Sequence, residues 1–262
     1  MKPGISTACF YPHVNTEDTL DVIKDLGFEI CEVFLETDCE TTYDYACALK
    51  EKADKLGVEI YSVHGFAASF EPFLFDRYPR RRKEMEDRFK AVCKAGSILG
   101  AKCYTFHGLR KNAVYTDIKS TAEGMDNLCR ISDDYSIKLA WENVAWCRSN
   151  DPIFVKEVIE HMKETIYFTL DIKQAIRSGH TPEEYLNIYQ NRILNLHIND
   201  ADKKSSCLLP GKGSVDLKKV LDEVRKLNND IPLIIEVYNE NFETLDELKE
   251  AKYYVESLGD IR

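Results

Sequence analysis

Six stretches of the chain close on the same kind of residue. In a strand, side chains alternate between two faces. On that period Ser62 pairs with His64, Thr105 with His107, Ala140 with Glu142, Thr169 with Asp171, Asn195 with His197, and Ile234 with Glu236. The opposite faces are Tyr61 and Val63, Tyr104 and Phe106, Leu139 and Trp141, Phe168 and Leu170, Leu194 and Leu196, Leu233 and Ile235. One face of each run is therefore expected to pack on apolar neighbours, while the other ends in a histidine or a carboxylate. A lone strand-end histidine or glutamate serves as readily as a hydrogen-bonded or ion-paired structural residue; six in phase ask for a common cause. Three imidazoles and three carboxylates brought together would repel or protonate one another unless a positive charge sat among them. A divalent ion supplies that charge, and a mixed imidazole–carboxylate set suits Zn, Mn, Fe, Co or Mg without choosing between them. His64 and His107 each precede a glycine, so a role as turn residues or substrate contacts stays open for them.

What could bring six such residues to one place is an alternation of helices and strands. The segments "DLGFEICEVF" (25–34), "KLGVEIYSVH" (55–64) and "ILGAKCYTFH" (98–107) each follow a helical pattern and carry Gly where a helix C-terminus favours a left-handed residue. Each then turns into a β-branched or aromatic run. Adding "GISTACF", "IKLAWENV", "IYFTLDIK", "ILNLHIND" and "LIIEVYN" gives eight candidate strands, separated by amphipathic stretches such as "SVDLKKVLDEVRKL". Eight alternating units predict a (β/α)8 TIM barrel over residues 1–262 as a single domain, whose strand ends converge on one mouth. An open doubly wound sheet is the alternative, but no glycine-rich phosphate fingerprint follows the first strand.

Composition narrows the function classes. The chain of 262 residues is 44% hydrophobic and 31% charged, as expected of a globular domain. A net charge of −10 offers no general attraction to phosphate polymers or anionic lipid, which argues against a nucleic-acid partner. No run approaches the roughly 20 apolar residues of a membrane span, nor does the N-terminus carry a signal-peptide core, so a cytoplasmic protein without membrane association is expected. The 9 cysteines form no CxxC pair and are expected to be reduced core residues.

The motifs "WEN" with Glu142, "LDIKQ" with Asp171, "HIND" with His197 and "IIEVY" with Glu236 resemble the sugar phosphate isomerase/epimerase superfamily, the xylose isomerase-like barrels that also include endonuclease IV. The likeness runs through nearly the whole chain, with the motifs in the family's order. It implies that Glu142, Asp171, His197 and Glu236 hold one divalent metal and that Glu142 and Glu236 also exchange protons with the substrate. Residues matching His64 and His107 bind additional zinc in the endonuclease kind, so a second ion is an alternative to substrate binding there. The activity implied is a metal-dependent isomerase or epimerase of carbohydrate metabolism, acting on a small sugar, sugar phosphate or related ketone by proton transfer through a metal-stabilised enediolate. A hydride shift is a second route. A zinc-dependent endonuclease IV-like phosphodiesterase and a non-catalytic sugar-binding barrel are the alternatives, and a homo-oligomer is compatible with all three. The chain departs from the endonuclease pattern at Gln174, Ser205 and Cys207, where that pattern has three zinc ligands; Gln and Ser are poor ligands for zinc.

Further candidates lie around this set. Gln174 could hydrogen-bond a sugar hydroxyl, and Trp146 could form an apolar wall for a sugar or simply pack on the rim. Trp141 is expected to pack outward against helices. "LLPGKGSVDL" (208–217) matches a family turn and leads into a helix capped by Ser214 or Asp216. Barrels often bind phosphate after the seventh strand, so Lys203, Lys204 and Lys212 are candidates for an anionic group on the substrate. The connection "GFAASFEPFLFDRYPRRRKE" is too long for an ordinary turn; it is either a lid or a helical turn packed on the rim.

Overall fold

Eight parallel strands follow one another in chain order around a closed barrel, with β8 returning to pair with β1. They are β1 Pro3–Ser6, β2 Ile30–Leu35, β3 Glu59–Gly65, β4 Cys103–Phe106, β5 Lys138–Glu142, β6 Tyr167–Asp171, β7 Ile193–Ile198 and β8 Leu233–Ile235. The computed structural model describes residues 1–66, 69–113 and 117–259. Helices α1 (Thr16–Asp25), α2 (Tyr43–Leu56), α3 (Pro79–Leu99), α4 (Ile118–Asp134), α5 (Pro152–His161), α6 (Ile172–Arg177), α7 (Pro182–Tyr189), α8 (Leu217–Leu227) and α9 (Leu245–Ser257) connect or follow the strands.

The three glycines after α1, α2 and α3 adopt the expected left-handed backbone, Gly27, Gly57 and Gly100 having φ of 79°, 67° and 77°. A side chain is disfavoured there, which is why each helix stops and the chain re-enters the barrel. Helix α8 starts at Asp216, whose carboxylate accepts from Lys219 N–H, and buries Leu217, Val220, Leu221 and Val224 on one stripe. Val63, Tyr104, Phe106, Leu139, Trp141, Phe168, Leu170, Leu196, Leu233 and Ile235 form the layer between strands and helices, as the alternation requires.

Inside the barrel, side chains stack in tiers. A lower tier holds Ile30, Cys103, Ala140 and Ile234, and Tyr61 and Leu194 pack with it. These last two were expected on the helix side; they lie near the N-terminal ends of β3 and β7, where the Tyr61 hydroxyl donates to the Leu194 carbonyl at 3.0 Å. A polar tier above contains Glu32, Ser62, Thr105, Thr169 and Asn195, all fully buried. The ligand-type residues sit above that.

Strand pairing sets Asp171 level with His197 on β6 and β7, whereas Glu142 and His64 pair with Thr169 and Thr105 of the polar tier on the neighbouring strands. His107 and Glu236 lie one residue past their strands. The first predicted strand ends early, at Ser6, because Thr7–Phe10 form a 3-10 turn in which Thr7 Oγ1 accepts from Phe34 N–H at 2.8 Å.

The long connection after β3 is packed on the rim. Ala67 and Ala68 lie outside the described residues, but Glu71–Phe75 form a 3-10 turn that buries Glu71 and Leu74, and α3 begins at Pro79 with exposed arginines. Among the described residues no helix is long and apolar enough to cross a membrane. All the cysteines are free; most are buried, while Cys39 is exposed.

Candidate metal centre at the barrel mouth

Glu142, Asp171, His197 and Glu236 meet at the C-terminal end of the barrel, each offering a ligand atom within 4.8 Å of the others. His64, His107 and Glu142 form a second group by the same measure, with Glu142 shared. All six strand-end residues are thus gathered into one continuous cluster. His197 presents Nδ1 to the first group, 3.1 Å from Glu142 Oε1, 3.3 Å from Glu236 Oε2 and 3.7 Å from Asp171 Oδ2. In the second group, His64 Nε2 and His107 Nε2 lie 2.8 Å apart, and Glu142 Oε2 is 2.8 Å from His107 Nε2.

The asparagines of the motifs hold these side chains in place. Asn143 pairs with the Asp171 backbone in both directions, donating Nδ2 to its carbonyl at 2.9 Å and accepting its N–H at 2.8 Å. Asn199 Nδ2 reaches Asp171 Oδ1 at 3.2 Å, and the same oxygen caps α6 by accepting from Gln174 N–H at 3.0 Å. One face of the Asp171 carboxylate is therefore fixed, and Oδ2 is turned to the cluster.

Three buried charged residues beside the cluster carry no strand-end signature. Glu32, fully buried below the centre, faces His197 Nε2 through Oε1 at 3.0 Å. Its Oε2 accepts from Ser62 Oγ at 2.7 Å, Thr105 Oγ1 at 2.9 Å and Asn195 Nδ2 at 2.9 Å. Lys173, the second residue of α6, is 2% exposed and places Nζ 2.9 Å from Glu236 Oε2 and 3.3 Å from Asp171 Oδ2. Glu71 reaches in from the rim turn, accepting from the Tyr104 hydroxyl at 2.6 Å and from the N–H groups of His107 and Gly108 at 2.8 and 3.0 Å.

Protonation follows from this packing. Burial alone would raise the Glu142 carboxyl, but His107, His197 and His64 around it hold it well below the usual range. Glu236 is likewise driven down against its burial by His197 and Lys173. Burial would lower the His197 imidazole; the charges of Glu236 and Glu32 and its contacts with Asp171 and Glu142 raise it well above its ordinary value. His64 is raised to about 9 against its burial, by contact with Glu142 and the charges of Glu32, Glu142 and Glu236.

The residues present fit a divalent ion. Glu142 Oε2 and Asp171 Oδ2 are buried oxygens that accept no aligned hydrogen bond, their neighbours being His107 Nε2 at 2.8 Å and Lys173 Nζ at 3.3 Å, which buried carboxylate oxygens rarely settle for. The donors are hard oxygens and imidazole nitrogen, the set that suits divalent transition ions.

The outer candidates divide. Trp146 stands beside the cluster, 38% exposed, with its ring edge-on to His107 at 5.3 Å. Trp141 is buried, as expected, and donates Nε1–H to the His107 carbonyl at 3.2 Å. Gln174 is buried and its Oε1 accepts from Ala145 N–H at 3.0 Å, which fixes the amide with its NH2 free to meet a ligand. Lys203 and Lys204 are exposed in the turn built on Asp202, and Lys212 pairs with Glu250 at 3.4 Å on the outside. The "PGKG" turn wraps Asp200: Oδ2 accepts from Gly211 and Gly213 N–H at 3.1 and 3.0 Å, and Oδ1 from Val215 N–H at 3.0 Å. Those amides, which could have cradled a phosphate, are taken by a carboxylate of the same chain.

A closed (β/α)8 barrel with a mixed imidazole–carboxylate cluster across its strand ends defines a broad class of α/β barrels. The chain belongs, within that class, to the xylose isomerase-like TIM barrel family, whose model matches residues 20–259. No curated protein matches the chain. Among solved structures, a D-tagatose 3-epimerase-like protein is similar with a TM-score of 0.82 and 20% identity, each chain covered over 98%. An IolI protein with a bound zinc atom also gives 0.82, with 18% identity and 98% of each chain covered. The 3-keto-D-glucoside 4-epimerase YcjR from E. coli gives 0.78, at 13% identity over 98% of this chain and 99% of that one. At these identities the likeness establishes the fold.

Proposed function

We propose that the protein is a divalent-metal-dependent isomerase or epimerase of a small sugar or related ketone. The observation that carries this is the pair of buried glutamates, Glu142 on β5 and Glu236 beyond β8, flanking Asp171 and His197 in one cluster at the barrel mouth. Glu142, Asp171, His197 Nδ1 and Glu236 would hold the ion, and His64 with His107 would either bind the substrate or hold a second one. When bound, the ion supplies Lewis-acid polarisation of a carbonyl and its neighbouring hydroxyl.

The chain's own residues supply the rest. The Glu142 and Glu236 carboxyls are held in the ionised form, the state a general base needs to take a proton from the carbon beside that carbonyl. One carboxylate takes the proton on one face; the other, once it has picked up a proton from solvent, returns it on the opposite face, so the configuration at that carbon can invert. His197 must be neutral to ligate through Nδ1, which leaves the proton on Nε2, 3.0 Å from the Glu32 carboxylate that would favour this tautomer. Trp146 walls the mouth beside His107. An unphosphorylated substrate is favoured, because Asp200 already occupies the amides of the glycine turn.

One neighbour described as an epimerase, one as epimerase-like, and the zinc atom in a third agree with this reading. Phosphodiester cleavage is disfavoured: Cys207, one of the three substituted ligand positions, turns its thiol to Asn241 Oδ1 at 3.1 Å. The test is a panel of ketoses incubated with protein reconstituted with Mn, Co or Zn and with protein stripped by chelator. Interconversion of at least one ketose by the reconstituted protein alone is expected; inactivity across the panel together with robust cleavage of abasic DNA would reverse the assignment.

A further inference from the structure

Lys173 meets the oxygens that an ion would use. Asp171 Oδ1 is occupied by the Gln174 amide and Asn199, which leaves Oδ2 for a ligand, and Lys173 Nζ lies 3.3 Å from that Oδ2. On Glu236 the oxygen that faces His197 Nδ1, Oε2, is also the one Lys173 approaches, at 2.9 Å. An ion bound at about 2.0–2.2 Å from the same atoms would bring two positive centres within a few ångströms in a buried, low-dielectric site. The ammonium has somewhere to go. Its Nζ already lies 5.0 Å from the centre of the Tyr238 ring, which is 39% exposed at the mouth; the Arg177 guanidinium also approaches that ring, at 5.3 Å, and donates to its hydroxyl, so the displaced ammonium would share the ring with Arg177 and move out toward solvent.

We propose that Lys173 is a tethered cation that holds the metal-free centre together and is displaced toward Tyr238 when a divalent ion binds. This rests on the reading of the cluster as a metal centre. Lys173 lowers the centre's affinity for the ion and supplies, without it, part of the positive charge that Glu32, Glu142, Asp171 and Glu236 require. A Lys173 that merely braces α6 would leave metal affinity unmoved or reduce it.

The experiment compares wild type with Lys173→Met, which keeps length and removes charge, and with Lys173→Gln. Mn2+ affinity is measured by equilibrium dialysis on chelator-stripped protein, and thermal midpoints with and without Mn2+. Both variants are expected to bind Mn2+ at least about tenfold more tightly than wild type, the smallest change a direct charge–charge contact should give. Without metal their midpoints should fall below wild type, and saturating Mn2+ should close that gap. Binding by the variants but not by wild type is the extreme form of the same result.

Equal or weaker affinity in the variants overturns the displacement, as does absence of Mn2+ binding in all three proteins. So does failure of both variants to fold even when refolded in saturating Mn2+, since the ion would then be unable to replace the ammonium. Ketose interconversion is scored separately on wild type, so a failure of the proposed activity does not enter these affinities.

Discussion

Replacing Glu32 by Gln removes one charge from the barrel interior without changing its shape. Glu32 is fully buried, and its two oxygens serve different partners: Oε1 faces His197 Nε2 at 3.0 Å, while Oε2 accepts from Ser62, Thr105 and Asn195. A Gln amide must turn its NH2 toward one side or the other. Toward His197 it confronts a ring N–H; toward the polar tier it confronts the Asn195 amide, although the two hydroxyls can rotate to accept. Either way a buried donor goes unmet, at a cost of about 1–3 kcal/mol. At roughly 2–4 °C per kcal/mol for a domain of this size, the midpoint of the metal-free protein should fall by about 2–12 °C. The orienting partner of a metal-bound histidine typically contributes ~10–100-fold in affinity, so Mn2+ binding should weaken by that factor, about 1.4–2.7 kcal/mol. Urea denaturation of stripped protein reads the first quantity and equilibrium dialysis the second. A Glu32→Gln protein within about 0.5 kcal/mol of wild type, the range of an ordinary surface change, and with unchanged Mn2+ affinity would refute the assignment of Glu32 as the support of His197.

Glu142→Gln and Glu236→Gln each retain an oxygen ligand but lose the base, so turnover of the best ketose should drop about a hundredfold or more in protein that still carries metal. Asp171→Ala and His197→Ala should lose most of the bound metal in elemental analysis; unchanged content in both would remove the centre. Glu36, half-buried beside Glu40, has its carboxyl pushed up to about 7, first by burial and then by that neighbour. The folded state therefore binds the proton more tightly than the unfolded chain, and stability is lost as pH rises from the unfolded value toward 7. Glu36→Gln should accordingly raise the thermal midpoint at pH 8 relative to wild type and leave it little changed at pH 4, which parallel melts at the two pH values would show.

The period of two located the centre because each of six strands ends, on its inner face, in His64, His107, Glu142, Asp171, His197 or Glu236, and closing the barrel brings those ends together. Glu32 escapes that pattern for a physical reason. Phe34 occupies the mouth position of β2, stacked on His64 with ring centres 4.3 Å apart, so the carboxylate lies one tier lower where the sequence shows only a charge within an apolar run. Lys173 follows Asp171 by two residues, as an inward strand residue would, yet the chain has already entered α6 at Ile172. The helical turn, rather than the strand, carries its ammonium back over Asp171 and Glu236. Glu71 sits in a polar, aromatic connection where a lone glutamate looks solvated; its burial depends on Tyr104 and the turn amides of His107 and Gly108, which only the folded chain brings to it.

The central claim, that Glu142 and Glu236 move a proton at a metal-dependent centre, is tested most directly by recovering the ketose after turnover in deuterated water and locating the label by NMR. Deuterium at the carbon beside the carbonyl, appearing in step with turnover and only in metal-loaded protein, is the predicted result. Turnover without any incorporated deuterium, or equal incorporation by chelator-stripped protein, would contradict it.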